Sequence, residues 1–180
     1  NSCILFTPSI DNSHLITIDG LSNSIEELHP IQEAFVKFSG AQCGFCTPGF
    51  VMSIYGLLLK TKRPSKTEIL NAIQGNLCRC TGYGPIISAA EELSENYYFA
   101  SDILLKNNEK WAKKLIELKS YNSKEKDNHG LDYFIPRSLN QLKEILNYNE
   151  NATIVAGSTD VGLWVNKQFK NIRPVVFINQ

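Results

Sequence analysis

Gln42-Cys-Gly-Phe-Cys-Thr-Pro-Gly49 and Gly75-Asn-Leu-Cys-Arg-Cys-Thr-Gly-Tyr83 decide how this chain of 180 residues is read. The first stretch sets two residues between Cys43 and Cys46, the second sets one between Cys78 and Cys80, and 31 residues separate the pairs. Thiols that far apart meet only if the chain between them runs out and returns, so the intervening sequence is the first thing to read.

It reads as two helices. Thr47 and Pro48 suit an N-cap and a first helical position, and Val51, Ile54, Leu57 and Leu58 follow a 3.6-residue period until Pro64 forbids continuation. Ser65 to Glu68 has the form of a capping box, opening a helix that presents Ile69, Leu70 and Ile73 and stops at Gly75. A further helix flanks each side. Pro30 begins one with Ile31, Ala34, Phe35 and Phe38 on a face, ended by Gly40; Gly84-Pro85 opens another with Ile86, Ala89, Ala90, Leu93 and Tyr97 inward. Short connections favour an antiparallel, up-down-up-down bundle over residues 22–100, in which the first and third connections share an end. Those connections carry the cysteines.

Four thiolates at one pole suit either a tetrahedral zinc or a [2Fe-2S] rhomb. The single residue between Cys78 and Cys80 counts against zinc, whose cysteine pairs enclose two to four residues, without excluding it. Two helices begin just after a cysteine pair, so their N-terminal amides favour a negatively charged cluster. Thr47, Thr81 and Gly82 offer further donors to sulfur, and glycines at 44, 49, 75, 82 and 84 let the backbone close around the site. Cys3 stands alone and reads as a small apolar residue. His14, His29 and His129 share no spacing with the cysteines, and each reads as a satisfied or exposed side chain rather than a ligand. No paired carboxylates and no nucleophile with a base stand out, so the chain shows no substrate chemistry of its own.

Outside the bundle the signals are thinner. Eighteen basic residues balance eighteen acidic ones, which argues against nucleic acid or an anionic membrane as a partner. No apolar run is long enough to span a bilayer. Thiols arranged for metal rather than disulfides indicate a reducing, cytoplasmic setting. Residues 1–21 look like the tail of a preceding domain, alternating loosely from 3 to 20 with Leu15-Ile-Thr-Ile18 as the clearest strand and Asp19-Gly20 as a turn. The lysine-rich stretch 101–130 reads as a linker with one amphipathic helix through Trp111, Leu115 and Leu118. Residues 131–180 read as the start of an α/β domain: a helix opened by a Ser138 to Gln141 capping box, a strand at Ala152 to Ala156, the turn Gly157-Ser-Thr-Asp160, a helix and a last strand. Asn1 in place of Met, and a strand running to the last residue, read as marks of an internal fragment. The turn at 157–160 has the geometry of a phosphate cradle but neither the dinucleotide glycine fingerprint nor P-loop spacing.

Together these motifs resemble the molybdenum hydroxylases, the xanthine dehydrogenase and aldehyde oxidase family, across essentially the whole chain. The resemblance implies a multidomain arrangement: the end of a ferredoxin-like β-grasp domain, an all-α four-helix [2Fe-2S] domain, and the start of an FAD-binding domain. It implies that Cys43, Cys46, Cys78 and Cys80 hold one cluster and that Cys3 is the fourth ligand of another. It further implies that Gln42 and Cys80 face a molybdenum-pterin, and that Ile154, Val155, Ala156, Gly157, Ser158, Thr159, Asp160 and Val161 hold the FAD pyrophosphate. Joining the iron–sulfur and flavin modules in one chain is similar to the small subunits of bacterial xanthine dehydrogenases. That likeness implies a large molybdenum-binding partner, a heterotetramer of two small and two large subunits, and electrons passing from hypoxanthine or xanthine through two clusters and FAD to NAD. An aldehyde or other heterocycle hydroxylase using the same relay is the nearest alternative, and a zinc-stabilised interaction module is the alternative of a different class.

Overall fold

A computed structural model describes residues 2–22, 27–97, 102–125 and 133–178. The chain divides into two units, Leu15–Trp111 and the combination of Asn1–His14 with Ala112–Gln180.

The first unit is the helical bundle. Helix α1 (Pro30–Lys37) is capped by His29, whose Nδ1 accepts the Ile31 N–H at 3.2 Å while the Gln32 side chain accepts the His29 N–H at 2.9 Å. It closes through Ser39, which takes φ +54°, and the Gly40 N–H, which donates to the Phe35 carbonyl at 2.8 Å. Helix α2 (Thr47–Lys60) begins one residue differently from expectation: Cys46 is the N-cap and Thr47 the first helical residue. The reason is local, because the Thr47 hydroxyl is buried and makes no cap hydrogen bond. Helix α3 (Lys66–Ile73) has the expected capping box, Ser65 Oγ accepting the Glu68 N–H at 3.3 Å and Glu68 accepting the Ser65 N–H at 2.8 Å. Helix α4 (Gly84–Asn96) follows an N-cap at Tyr83.

Phe50, Val51, Ile54, Tyr55 and Leu58 of α2 meet Ile31, Ala34 and Phe35 of α1, Ile69 and Ile73 of α3, and Ile86, Ala89, Ala90 and Leu93 of α4 in one core. Each fully buried large aliphatic side chain contributes about 1.5–3 kcal/mol through removal from water. Helix α1 packs on α4 and α2 on α3, with α3 also against α4. Leu70 departs from expectation and is exposed, because an eight-residue helix buries a single stripe and Ile69 and Ile73 fill it. Leu15–Ile18 is also not a strand: it is extended as far as Thr17, and Ile18–Leu21 is a 3-10 turn. A strand exists only where another pairs with it, and this segment pairs with none among the described residues.

At the pole of the bundle opposite the cysteine loops, Asp102 opens the short helix α5 (Ile103–Lys106), accepting the Leu104 and Leu105 N–H groups at 2.8 and 3.3 Å. The same carboxylate accepts the Tyr97 hydroxyl at 2.6 Å and the Tyr55 hydroxyl at 3.0 Å. Helix α6 (Asn108–Glu125) follows and extends further than the single amphipathic patch suggested; Trp111 and Leu115 are half-buried and Leu118 is exposed.

In the second unit, a strand the sequence reading did not anticipate, β1 (Tyr133–Phe134), precedes helix α7 (Leu139–Tyr148), β2 (Thr153–Val155), helix α8 (Val161–Asn166) and β3 (Val175–Phe177), which follow in the expected order. The sheet is parallel in the order β1-β3-β2, with Val175 in register with both Tyr133 and Thr153. The central strand is buried throughout, which is why it reads as the unbroken apolar run Val175-Val-Phe177. Phe6 stacks edge-on against Phe177 at 5.8 Å. Only half of the Ser138 to Gln141 capping box forms: Ser138 Oγ accepts the Gln141 N–H at 3.2 Å, but the Gln141 side chain accepts from Arg137 instead. Among the described residues no helix is long and apolar enough to cross a membrane.

Candidate metal centre

The α1–α2 and α3–α4 connections lie at one end of the bundle, as the antiparallel reading requires, and bring Cys43 and Cys46 to Cys78 and Cys80. Across the loops Cys43 interacts with Cys80 and Cys46 with Cys78, and Cys43 and Cys80 also feel Cys78, so the four sulfurs share one neighbourhood. All five cysteines of the chain are free thiols. Cys43 and Cys80 are exposed, whereas Cys46 and Cys78 are half-buried against the core. Gln42 is exposed beside Cys43.

The loops shape the chemistry of each sulfur. Cys78 Sγ lies 3.1 Å from Thr81 Oγ1 and accepts the Thr81 N–H at 3.5 Å, and these donors bring its pKa down to about 7. Burial, followed by the Cys78 thiol, pushes Cys46 up to about 11. The Phe45 N–H, aided by the Cys80 thiol, lowers Cys43, and Cys80 is raised in turn. Each pair therefore joins a thiol whose pKa is lowered with one whose pKa is raised, and binding a metal as thiolates would release the protons these sulfurs carry. Cys46 sits at the N-cap of α2, where the helix dipole favours negative charge.

Gly82 (φ +66°) and Tyr83 (φ +68°) turn the chain sharply into α4. For Tyr83 the left-handed conformation costs about 1–2 kcal/mol. It is offset by contacts the sequence reading did not find. The Tyr83 hydroxyl accepts the Cys78 N–H at 3.1 Å, its N–H donates to Thr81 Oγ1 at 3.2 Å, and its ring meets Phe50 edge-on at 6.1 Å. The only signal in the sequence was an aromatic residue where a turn favours Gly or Asn.

A [2Fe-2S] group fits these residues. Four soft thiolate donors would suit the two irons of such a group, and the two loops supply all four from one end of the bundle. Among the described residues no three His, Cys, Asp or Glu side chains are closed around an ion position. The Thr47 hydroxyl, buried without a partner beside Cys46, is a polar group facing an environment the apolar core does not satisfy.

The other proposed residues lie in the second unit. Cys3 is exposed on the Ser2–Ile4 turn, its carbonyl accepting from the Asn166 side chain, and this unit contains no second cysteine. In the Ile154–Val161 loop, Val155 ends β2 buried and Ala156, Gly157, Thr159 and Asp160 are exposed. Ser158 takes φ +64° and buries its hydroxyl without a partner. His29 is satisfied within the bundle, as expected, and His129 lies outside the described residues.

Residues 17–91 match the family described as the [2Fe-2S] binding domain. The chain is 53% identical over 95 residues to a xanthine dehydrogenase of Blastobotrys adeninivorans, covering 52% of this chain and 7% of that protein. It is 47% identical over 92 residues to aldehyde oxidase 1 of Cavia porcellus, covering 50% of this chain and 7% of that one. Among solved structures, an aldehyde oxidoreductase from Desulfovibrio gigas matches at 45% identity with a TM-score of 0.41, covering 43% of this chain and 9% of that chain. The chain thus spans less than a tenth of the length of these relatives.

Proposed function

We propose, from the premise that this chain carries the [2Fe-2S] electron-transfer domain of the xanthine dehydrogenase and aldehyde oxidase family, that Cys43, Cys46, Cys78 and Cys80 are its cluster ligands. The single observation that carries the assignment is the convergence of the α1–α2 and α3–α4 loops, which joins Cys43 to Cys80 and Cys46 to Cys78. Bound there, the group supplies reversible one-electron transfer. The chain's own residues set its conditions: Thr81 donates to the Cys78 sulfur, the α2 N-terminus favours negative charge, and Cys46 and Cys78 pack against the apolar core of the bundle. Cys43 and Cys80 stand at the surface, where a redox partner can approach.

The wider role is our reading from the resemblance of the chain's motifs to the molybdenum hydroxylases. Gln42 and Cys80 face a molybdenum-pterin held by a large partner subunit, and Cys3 completes a second cluster. The loop Ile154–Val161 binds the FAD pyrophosphate, with the unpartnered Ser158 hydroxyl and exposed Gly157 as its contacts. The protein works as a cytoplasmic heterotetramer passing electrons from xanthine or hypoxanthine to NAD. Because the relatives include aldehyde oxidases, an aldehyde or N-heterocycle substrate is the second reading.

The test is a pair of substitutions in the intact protein. Cys80→Ser should lower occupancy of one cluster and stop electron transfer from the partner, while Cys3→Ser should disturb only the other. Loss of both clusters from either change alone would contradict the ligand assignment.

A further inference from the structure

We propose that Asn76 and Tyr83 are positioning residues that seat the Cys78–Cys80 loop on helix α2 before any metal is bound; the proposal rests on the reading of the four cysteines as cluster ligands. The loop leaves α3 at Ile73 and must hold Cys78 and Cys80 opposite Cys46, at the N-cap of α2, and Cys43, in the loop just before it. Among its contacts, two join it to the same two turns of that helix. At its entry, Asn76 Nδ2 donates to Ser53 Oγ at 2.8 Å. The carbonyl oxygen of the same amide lies against Gly49, where an added Cβ would stand 3.0 Å away, tighter than an ordinary contact. At its exit, the Tyr83 ring rests on the fully buried Phe50, and its hydroxyl reaches back to the Cys78 N–H at 3.1 Å.

Gly49, Phe50 and Ser53 therefore form a seat on consecutive turns of α2, and Asn76 and Tyr83 grip it from either end of the cysteine loop. Because α2 also carries Cys46 at its N-cap, the clamp ties the position of one cysteine pair to the other through a rigid element rather than through the metal. Tyr83 is the costlier half, since its ring reaches Phe50 only from a left-handed backbone. A site assembled in this way binds its group with less ordering to do and releases it more slowly.

The experiment uses the intact protein with Tyr83→Phe, Asn76→Ala, Ser53→Ala and Gly49→Ala, and Ser65→Ala as a control outside the clamp. Iron loss to a chelator is followed by visible absorbance, and the electron paramagnetic resonance of the cluster that Cys80→Ser removes is recorded. Tyr83→Phe and Asn76→Ala should each speed iron loss about tenfold, the equivalent of one hydrogen bond. Ser53→Ala should match Asn76→Ala, and the double variant should be no faster than either alone. Tyr83→Phe should also shift the resonance, which a general loss of stability would not. In metal-free protein, Tyr83→Phe should raise the alkylation rate of Cys78 and Cys80 by a similar factor, an arm that scores the clamp even if the bound metal proves to be zinc. Wild-type rates of iron loss and alkylation in Tyr83→Phe and Asn76→Ala would overturn the proposal.

Discussion

The His29 imidazole and the Asp102 carboxylate meet 3.4 Å apart, joining the cap of α1 to the residue that opens α5. Because His29 Nδ1 accepts the Ile31 N–H, the ring proton sits on Nε2, facing Asp102 and, at 3.1 Å, the Tyr97 hydroxyl. Asp102 is fully buried as a side chain, yet the Tyr97 and Tyr55 hydroxyls and two backbone amides satisfy it. The network fixes where the chain leaves the bundle.

Asp102→Asn should therefore destabilise the bundle by about 2–3 kcal/mol, since an amide cannot accept all the donors a carboxylate does and introduces donors of its own. Tyr55→Phe should cost about 1 kcal/mol, the value of one hydrogen bond. Thermal unfolding of the two variants beside the parent protein measures both.

The same network makes stability depend on pH. Burial lowers the His29 pKa from its ordinary 6.5, and the opposing pull of Asp102 and Glu33 does not restore it. A histidine held neutral contributes stability in full above about pH 6.5 and loses it as pH falls, because the unfolded chain takes up the proton first. Burial pushes Asp102 up, but Tyr97, Tyr55 and the Leu105 and Leu104 amides outweigh it and hold the carboxyl below its usual range. Its contribution is present above about pH 4 and fades below that. The melting temperature should fall between pH 7.5 and 5.5, and His29→Gln should flatten that fall. An equal slope in the two proteins would remove His29 as its source.

Phe50 separates packing from positioning. Phe50→Ala and Ile54→Ala both empty a fully buried site and should cost about 3–5 and 2–5 kcal/mol respectively. Phe50 in addition meets the Tyr83 ring edge-on. Phe50→Ala should thus lower iron content at a temperature where both variants are folded, with Ile54→Ala keeping the parent's content.

Local chemistry was the legible part of this chain. Pro30, the Ser65 and Glu68 capping box, and the periods of α2 and α4 act within a turn or two, so sequence spacing reports them directly. The meeting of the cysteine loops was legible one level up, since short connections left little choice of topology. What escaped was long-range or strained. Nothing in Tyr55, Tyr97 or His29 announces a shared carboxylate at Asp102, because the contacts are set by tertiary packing. Tyr83 was passed over because turn rules expect glycine where this residue accepts φ +68° in return for Phe50 and Cys78. Leu15–Ile18 has the composition of a strand, and composition does not supply a partner.

Ser65→Ala removes a cap at the far end of α3 from the cysteines and should cost about 1 kcal/mol without changing metal content. Unfolding by denaturant together with iron analysis checks both halves of this expectation.

Whether Cys43, Cys46, Cys78 and Cys80 hold iron and sulfide is measured by metal and sulfide analysis of the protein produced without oxygen, with a resonance spectrum after dithionite. The protein should be red-brown, with iron and acid-labile sulfide in equal amounts and a paramagnetic signal that Cys80→Ser abolishes. Protein carrying one zinc at these cysteines, colourless there and without a dithionite-induced signal that depends on Cys80, would contradict the iron–sulfur assignment.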